Sequence, residues 1–186
     1  MPEKKPAVKP VTEKRLMNVA LFYLEKYESS SENLRRLLQR RILRAEMKGV
    51  SVPAEARDWV EKVVAEVKRL GYVDDGRFAL SVAEKYRKAG KSRKYICQKL
   101  TLAGIPADVQ DDVLSEFDGT ESEDAELQAA LLLVRKRKLG VFRPEEDRKA
   151  CRKKDLAALA RAGFSYQTAV KALGVSEQEE DDFVGD

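Results

Sequence analysis

Histidine, the side chain best suited to moving protons near neutral pH, does not occur in this sequence, so acid–base chemistry would fall to carboxylates or lysines. No isolated pair of acids stands beside an apolar pocket pattern. Asp111-Asp112 and Asp181-Asp182 lie in acidic surroundings and read as solvated. Cys97 follows the core-like Ile96 among bases that would lower a thiol pKa, but no base that could serve a nucleophile is evident. Cys151 stands in an unrelated context. Spacing alone does not exclude a Cys97–Cys151 disulfide, although two lone cysteines in a lysine-rich chain read as reduced thiols of a cytosolic protein. Two thiols without a CxxC pair or a histidine offer too few ligands for zinc, and no GxxxxGK[ST] or GxGxxG loop is present to cradle phosphate. The residues give no catalytic site, no metal site and no cofactor, and the chain is expected not to be an enzyme.

The chemistry on offer is charge. Lysine and arginine number 36 against 32 acids, and the small excess of +4 hides a segregation. One basic cluster comprises Arg35, Arg36, Arg40, Arg41 and Arg44. A second, Lys85, Arg87, Lys88, Lys91, Arg93, Lys94 and Lys99, has no acid from 85 to 99. A third runs through Arg135, Lys136, Arg137, Lys138, Arg143, Arg148, Lys149, Arg152, Lys153 and Lys154. Against them, Asp108 to Glu126 holds nine acids and no base, and Glu177 to Asp186 holds six. A single run reads as a solvated helix face, but three in corresponding places read as a stripe for a phosphate backbone or an acidic protein surface. Tyr86, Tyr95 and Phe142 lie among the bases and could stack on nucleobases, but Tyr86 reads rather as core and the other two as closing corners of the fold.

These clusters need helices to carry them. Leu16, Ala20, Tyr23, Leu24 and Tyr27 recur at spacings of three and four and mark a first helix. Ser31 is expected to cap a second, with Leu34, Leu37, Leu38 and Ile42, that reaches Gly49, the stretch Arg44 to Ala54 being open between helix and loop. Pro53 would open a third, burying Trp59, Val60, Val63, Val64, Val67 and Leu70 and closing at Gly71. A fourth, capped by Asp74 or Asp75, carries Phe78, Val82, Ala83 and Tyr86. A fifth starts at Ser92 and stops at Gly104, and a sixth follows Pro106. The acidic stretch Asp118 to Glu123 reads as a linker before three further helices, the second ending at Gly163 and the last carrying Ala169, Val170 and Leu173. No stretch alternates long enough for a strand. The longest apolar run, Ala129 to Val134, falls far short of the roughly 20 residues of a membrane span, and the first residues lack a signal-peptide core, so a cytoplasmic protein without a membrane is expected.

The chain also repeats itself. Lys99 to Pro106 aligns without gaps on Ala158 to Ser165, placing Gly104 on Gly163, and the register continues with Val109 on Thr168 and Leu114 on Leu173. Residues 1–11 are expected as a disordered tail, 12–73, 74–118 and 119–175 as three three-helix repeats, and 176–186 as an acidic tail. The fold class is therefore all-α, three tandem three-helix repeats forming an elongated, curved array.

One segment is distinctive. Leu70-Gly71-Tyr72-Val73-Asp74-Asp75-Gly76-Arg77-Phe78-Ala79 resembles the junction between the first two repeats in the RecX family, bacterial regulators of the RecA recombinase. Ser31 to Leu38 with Tyr23-Leu24 upstream resembles the family's first repeat, Gly90 to Leu100 with Gly104-Ile105 its second, and Leu156 to Tyr166 its third. The resemblance spans residues 16 to about 174 in order. In physical terms Gly71 supplies a positive φ, Tyr72 plugs the corner, Asp74 or Asp75 caps the next helix, Arg77 pairs with that acid and Phe78 anchors the second repeat. Gly76 departs from the pattern, weakening its first turn by up to roughly 1 kcal/mol relative to Ala. The link from Arg44 to Ala54 is longer than the family's.

The resemblance implies a monomer without catalytic activity that lies in the groove of the RecA–DNA filament. There it would limit filament growth and inhibit strand exchange, ATP hydrolysis and co-protease action, and so bear on recombination, repair and the SOS response. The partners implied are the RecA filament and single- or double-stranded DNA, directly or through the filament. The faces expected to engage them are Arg35, Arg36, Arg40 and Arg41; Lys88, Lys91, Arg93, Lys94 and Lys99; and Arg135, Lys136, Arg137, Arg152, Lys153 and Lys154. Two other readings fit the charge pattern, a stand-alone nucleic-acid-binding protein and a helical adaptor for another acidic protein.

Overall fold

The computed structural model describes residues 10–119 and 122–174, and among these all regular structure is helical. The helices are α1 (Glu13–Leu24), α2 (Ser31–Glu46), α3 (Ala56–Arg69), α4 (Asp75–Lys88), α5 (Arg93–Leu102), α6 (Ala107–Asp118), α7 (Ser122–Arg137), α8 (Glu145–Arg161) and α9 (Tyr166–Leu173), with one 3-10 turn at Gly140–Phe142. None is long and apolar enough to cross a membrane. The expected tails, 1–11 but for its last two residues and 176–186, lie outside the described residues. Contacts divide the chain into two compact units. The first comprises residues up to Phe78 together with Ala103–Ile105; the second holds Ala79–Leu102 and everything from Pro106.

In the first unit α1, α2 and α3 pack around Leu16, Ala20, Leu34, Leu38, Ile42, Val60, Val63, Val64 and Val67. These recur at helical spacing, so each helix buries one stripe and leaves the other faces to charge. Helix α2 stops at Glu46, and residues up to Glu55 form a turn and loop. Helix α3 therefore begins at Ala56 rather than at Pro53.

The corner after α3 departs from expectation in an instructive way. Gly71 has φ +77° as anticipated, with the Tyr72 N–H reaching back to the Val67 carbonyl at 3.0 Å. But Tyr72 is 55% exposed, and Val73, 2% exposed, is the plug. The reversal that Gly71 permits turns position 73 inward and position 72 outward. Leu70, expected inside, is likewise exposed. Asp74 is the cap of α4, its Oδ1 accepting the Arg77 N–H at 3.0 Å. Arg77 does not pair with the capping acids; its side chain lies 3.7 Å from Glu28. Phe78, half-buried, closes the first unit.

In the second unit, α7, α8 and α9 bury Ala129, Ala130, Leu133, Val134, Leu156, Leu159, Phe164, Ala169, Val170 and Leu173. Asp118, expected in a linker, is the last residue of α6. Its side chain is buried against Arg87 of α4, which has Asp118 Oδ2 at 2.6 Å and Glu126 of α7 as its second partner. Arg87 is 8% exposed. Burial works against its charge, but the hydrogen bonds of the two carboxylates outweigh that and raise its pKa. A second buried ion pair joins Asp155 of α8 to Arg143, Nε to Oδ2 at 2.8 Å and Nη2 to Oδ1 at 2.7 Å, with the Gly140 N–H completing the site at 2.9 Å.

Candidate partner-binding surface

Each expected surface rests on how its helix starts, and two helices start alike. Ser30, rather than Ser31, caps α2: its Oγ accepts the Asn33 N–H at 3.1 Å and donates to the Ala103 carbonyl at 2.6 Å. Ser92 caps α5, accepting from the Tyr95 N–H at 3.2 Å and donating to the Ala162 carbonyl at 2.7 Å. The next N–H is also taken by a carboxylate from a following helix, Ser31 N to Asp75 Oδ1 at 2.8 Å and Arg93 N to Glu126 Oε2 at 2.9 Å. The carbonyls at 103 and 162 each precede a glycine with positive φ, Gly104 at +74° and Gly163 at +93°. A side chain at Gly104 would run into Glu32, and one at Gly163 would meet the Ser92 hydroxyl at 2.6 Å. The two aligned segments thus share conformation, burial (Leu100 with Leu159, Ile105 with Phe164) and a serine clasp. The clasp went unread in the sequence because its partners lie 73 and 70 residues apart.

On the first unit the expected residues separate into two groups. Arg35 donates to Glu61 of α3 at 2.9 and 3.1 Å and also holds Glu32; Arg36 holds Glu32 at 2.8 Å. The Glu61 hydrogen bond is the main reason the Arg35 pKa is raised. Arg40 and Arg41, with Arg44, are exposed one to two turns further along, and no described carboxylate pairs with them. Surface pairs such as Arg36–Glu32 contribute less than about 1 kcal/mol, so an incoming anion can displace them, whereas Arg40, Arg41 and Arg44 need no displacement.

On the second unit the basic run from 85 to 99 is less open than its composition suggests. Lys88 is exposed and lies 3.2 Å from Glu84. Lys91 and Lys99 sit over the Tyr95 ring, 4.9 and 5.2 Å from its centroid, while Tyr86 packs edge-on at 5.3 Å. Tyr95 is therefore occupied and unavailable to a base. Arg93 reaches Asp111 at 3.2 Å and Asp118 at 3.6 Å. Lys94 is exposed with no described carboxylate beside it. Burial pushes the Cys97 thiol up, outweighing the lowering from Arg93, so the expected activation by neighbouring bases is not realised. Cys97 and Cys151 are both free.

Arg135, Lys136 and Arg137 form the last turn of α7, exposed and without a described carboxylate partner. Their charge also suits that helix end, where carbonyls accumulate partial negative charge. Arg152 is half-buried and Lys153 exposed, both already engaged within the fold. Lys154 is exposed and helps hold the neighbouring Asp155 carboxyl down. The buried pairing of Arg87 with Asp118 and Glu126 was not expected from the sequence. Arg87 continues the buried stripe of Ala79 and Ala83 at spacings of four, a signal that its charge obscured.

No protein-family model matches the chain. It is 40% identical over 159 residues to the regulatory protein RecX of Myxococcus xanthus strain DK1622, covering 85% of this chain and 83% of that one. To the regulatory protein RecX of Agrobacterium fabrum strain C58 it is 28% identical over 172 residues, covering 91% and 87%. Its fold matches the crystal structure of RecX from Lactobacillus salivarius with a TM-score of 0.60 at 16% identity, over 91% of this chain and 96% of that one. A second crystal structure, of regulatory protein RecX, matches with a TM-score of 0.63 at 19% identity, over 88% and 72%. At such identities the two structures speak for the fold alone.

Proposed function

This chain belongs to the RecX family of regulatory proteins, and from that premise we propose that it regulates the RecA recombinase by binding in the groove of RecA–DNA filaments. It acts mainly as an inhibitor of strand exchange, ATP hydrolysis and co-protease function, in the cytoplasm and without catalysis of its own. The observation that carries the reading is the set of exposed cations lacking a described carboxylate partner, Arg40, Arg41, Lys94, Arg135, Lys136 and Arg137, held on rigid helices. Rigid, unpaired cations meet phosphates or carboxylates without first breaking internal pairs. The three-helix repeats 12–73, 74–118 and 119–175 are the units of this scaffold in the same proposal. A stand-alone nucleic-acid-binding protein is the less favoured reading, because Tyr95 already carries two ammonium groups near its ring and Tyr86 lies against it.

The test is the single-stranded-DNA-dependent ATPase of the cognate recombinase, titrated with this protein beside naked-DNA binding at the same salt. Inhibition at amounts well below the recombinase, with weak binding to naked DNA, is expected. An unchanged ATPase with tight, steeply salt-dependent DNA binding would favour the nucleic-acid-binding reading.

A further inference from the structure

Between α1 and the C-terminal half of α2, within the first unit, lies a groove of about 860 Å³ that no reading above has used. Its α1 wall presents Thr12, Arg15, Leu16, Val19 and Phe22, spaced at three and four so that they share one face. Its opposite wall presents Arg41, Arg44 and Ala45 of α2 and Lys48 from the turn that follows. Among the described residues, four cations line it and no acid does. Arg41, Arg44 and Lys48 have no described carboxylate partner, and the Arg15 guanidinium donates to the Pro10 carbonyl at 2.8 Å. Phe22 remains 62% exposed at the groove. Three of the four cations are thus held on helices without a described carboxylate partner.

We propose that this groove docks an acidic peptide segment carrying an apolar anchor residue, supplied by a protein partner. The carboxylates would meet Arg15, Arg41, Arg44 and Lys48, and the anchor would cover Phe22 beside Leu16 and Val19. Charge complementarity selects an anion, and the apolar wall selects a peptide over a phosphate backbone, which offers nothing to bury there. The proposal deepens the regulatory reading, on which it rests, by naming the chemistry of one contact. It is tested without any recombinase, so the two can fail separately.

The experiment is fluorescence anisotropy of a labelled octapeptide, DEDFEELD, titrated with the full chain, with a labelled oligothymidine measured in parallel. Saturable peptide binding is expected, weakened at least about tenfold in R41E/R44E and several-fold in Phe22→Ala. The gentler R41Q/R44Q should also weaken it, and the thermal melts of all three variants should match the parent. No saturable peptide binding, or binding unchanged in R41E/R44E, overturns the proposal. So does oligothymidine binding that R41E/R44E abolishes while the peptide fails to bind, since the groove would then be a phosphate site.

Discussion

Arg87 shows how far one side chain's role depends on its depth. Two carboxylates, one of them fully buried, surround it, and removing the cation would strand both. Arg87→Met is expected to destabilise the chain by about 3–5 kcal/mol, read as a lowered urea midpoint, while Lys88→Met on the adjacent exposed position should shift it by less than about 0.5 kcal/mol. Equal shifts would contradict the burial of Arg87. Asp155 predicts a pH dependence. Burial pushes its carboxyl up, but Arg143 and the Gly140 N–H more than compensate and hold it below the ordinary value, which is about 3.9. A depressed folded-state pKa means that folding favours the ionised form. The stability it contributes is nearly complete above about pH 5 and is lost as the pH falls through the ordinary value towards the folded-state one. Asp75 shifts the same way, through Ser31 and Lys68 against its own burial. Acid unfolding monitored by circular dichroism should be flatter below pH 4 in Asp75→Asn than in the parent, and a parallel curve would reject the assignment.

At the scale of the element, the serine caps do two jobs, closing a helix start and satisfying a carbonyl at a distant helix end. Ser92→Ala should therefore cost more than the loss of an ordinary exposed cap, about 2 kcal/mol rather than about 1, because the Ala162 carbonyl is left without its donor. Ser165, which caps α9 and is exposed, is the comparison: Ser165→Ala should sit near the lower figure. Thermal melts of the two variants decide the matter, and equal losses would mean that the Ser92–Ala162 bond adds nothing. Gly71→Ala tests the corner: a Cβ there meets no atom within 4 Å, so any loss reports the positive φ alone, expected at about 1–2 kcal/mol.

At the scale of the molecule, function should follow the unpaired cations rather than the count of bases. Reversing Arg135, Lys136 and Arg137 together should weaken recombinase inhibition at least about tenfold, whereas reversing Lys91 and Lys99, which are committed to Tyr95, should act first on stability. The measurement is the ATPase titration set beside a melt for each variant. Unaltered inhibition after reversal of 135–137 would remove that turn from the proposed surface. Inhibition should also weaken as salt rises and the Debye length falls below about 8 Å.

The sequence by itself determined the helices, most of their stops and the segments that resemble one another, because spacing, capping residues and glycine act within a few residues and leave a local imprint. Gly71, Gly104 and Gly163 were legible for that reason, as was membership of a helical regulatory family from the segment around residues 70–79. The tertiary structure alone decided which charges are spent. Arg35 and Arg40 both look like exposed bases in sequence, and Arg35 is the one with Glu61 of α3 within reach, in addition to its neighbour Glu32. Arg87 and Lys88 differ by one position on a helix and by burial. Val73 took the role expected of Tyr72 because the direction in which a left-handed residue sends the chain is set by the packing it enters. Pairing and depth arise between residues far apart in the chain, and composition cannot encode them.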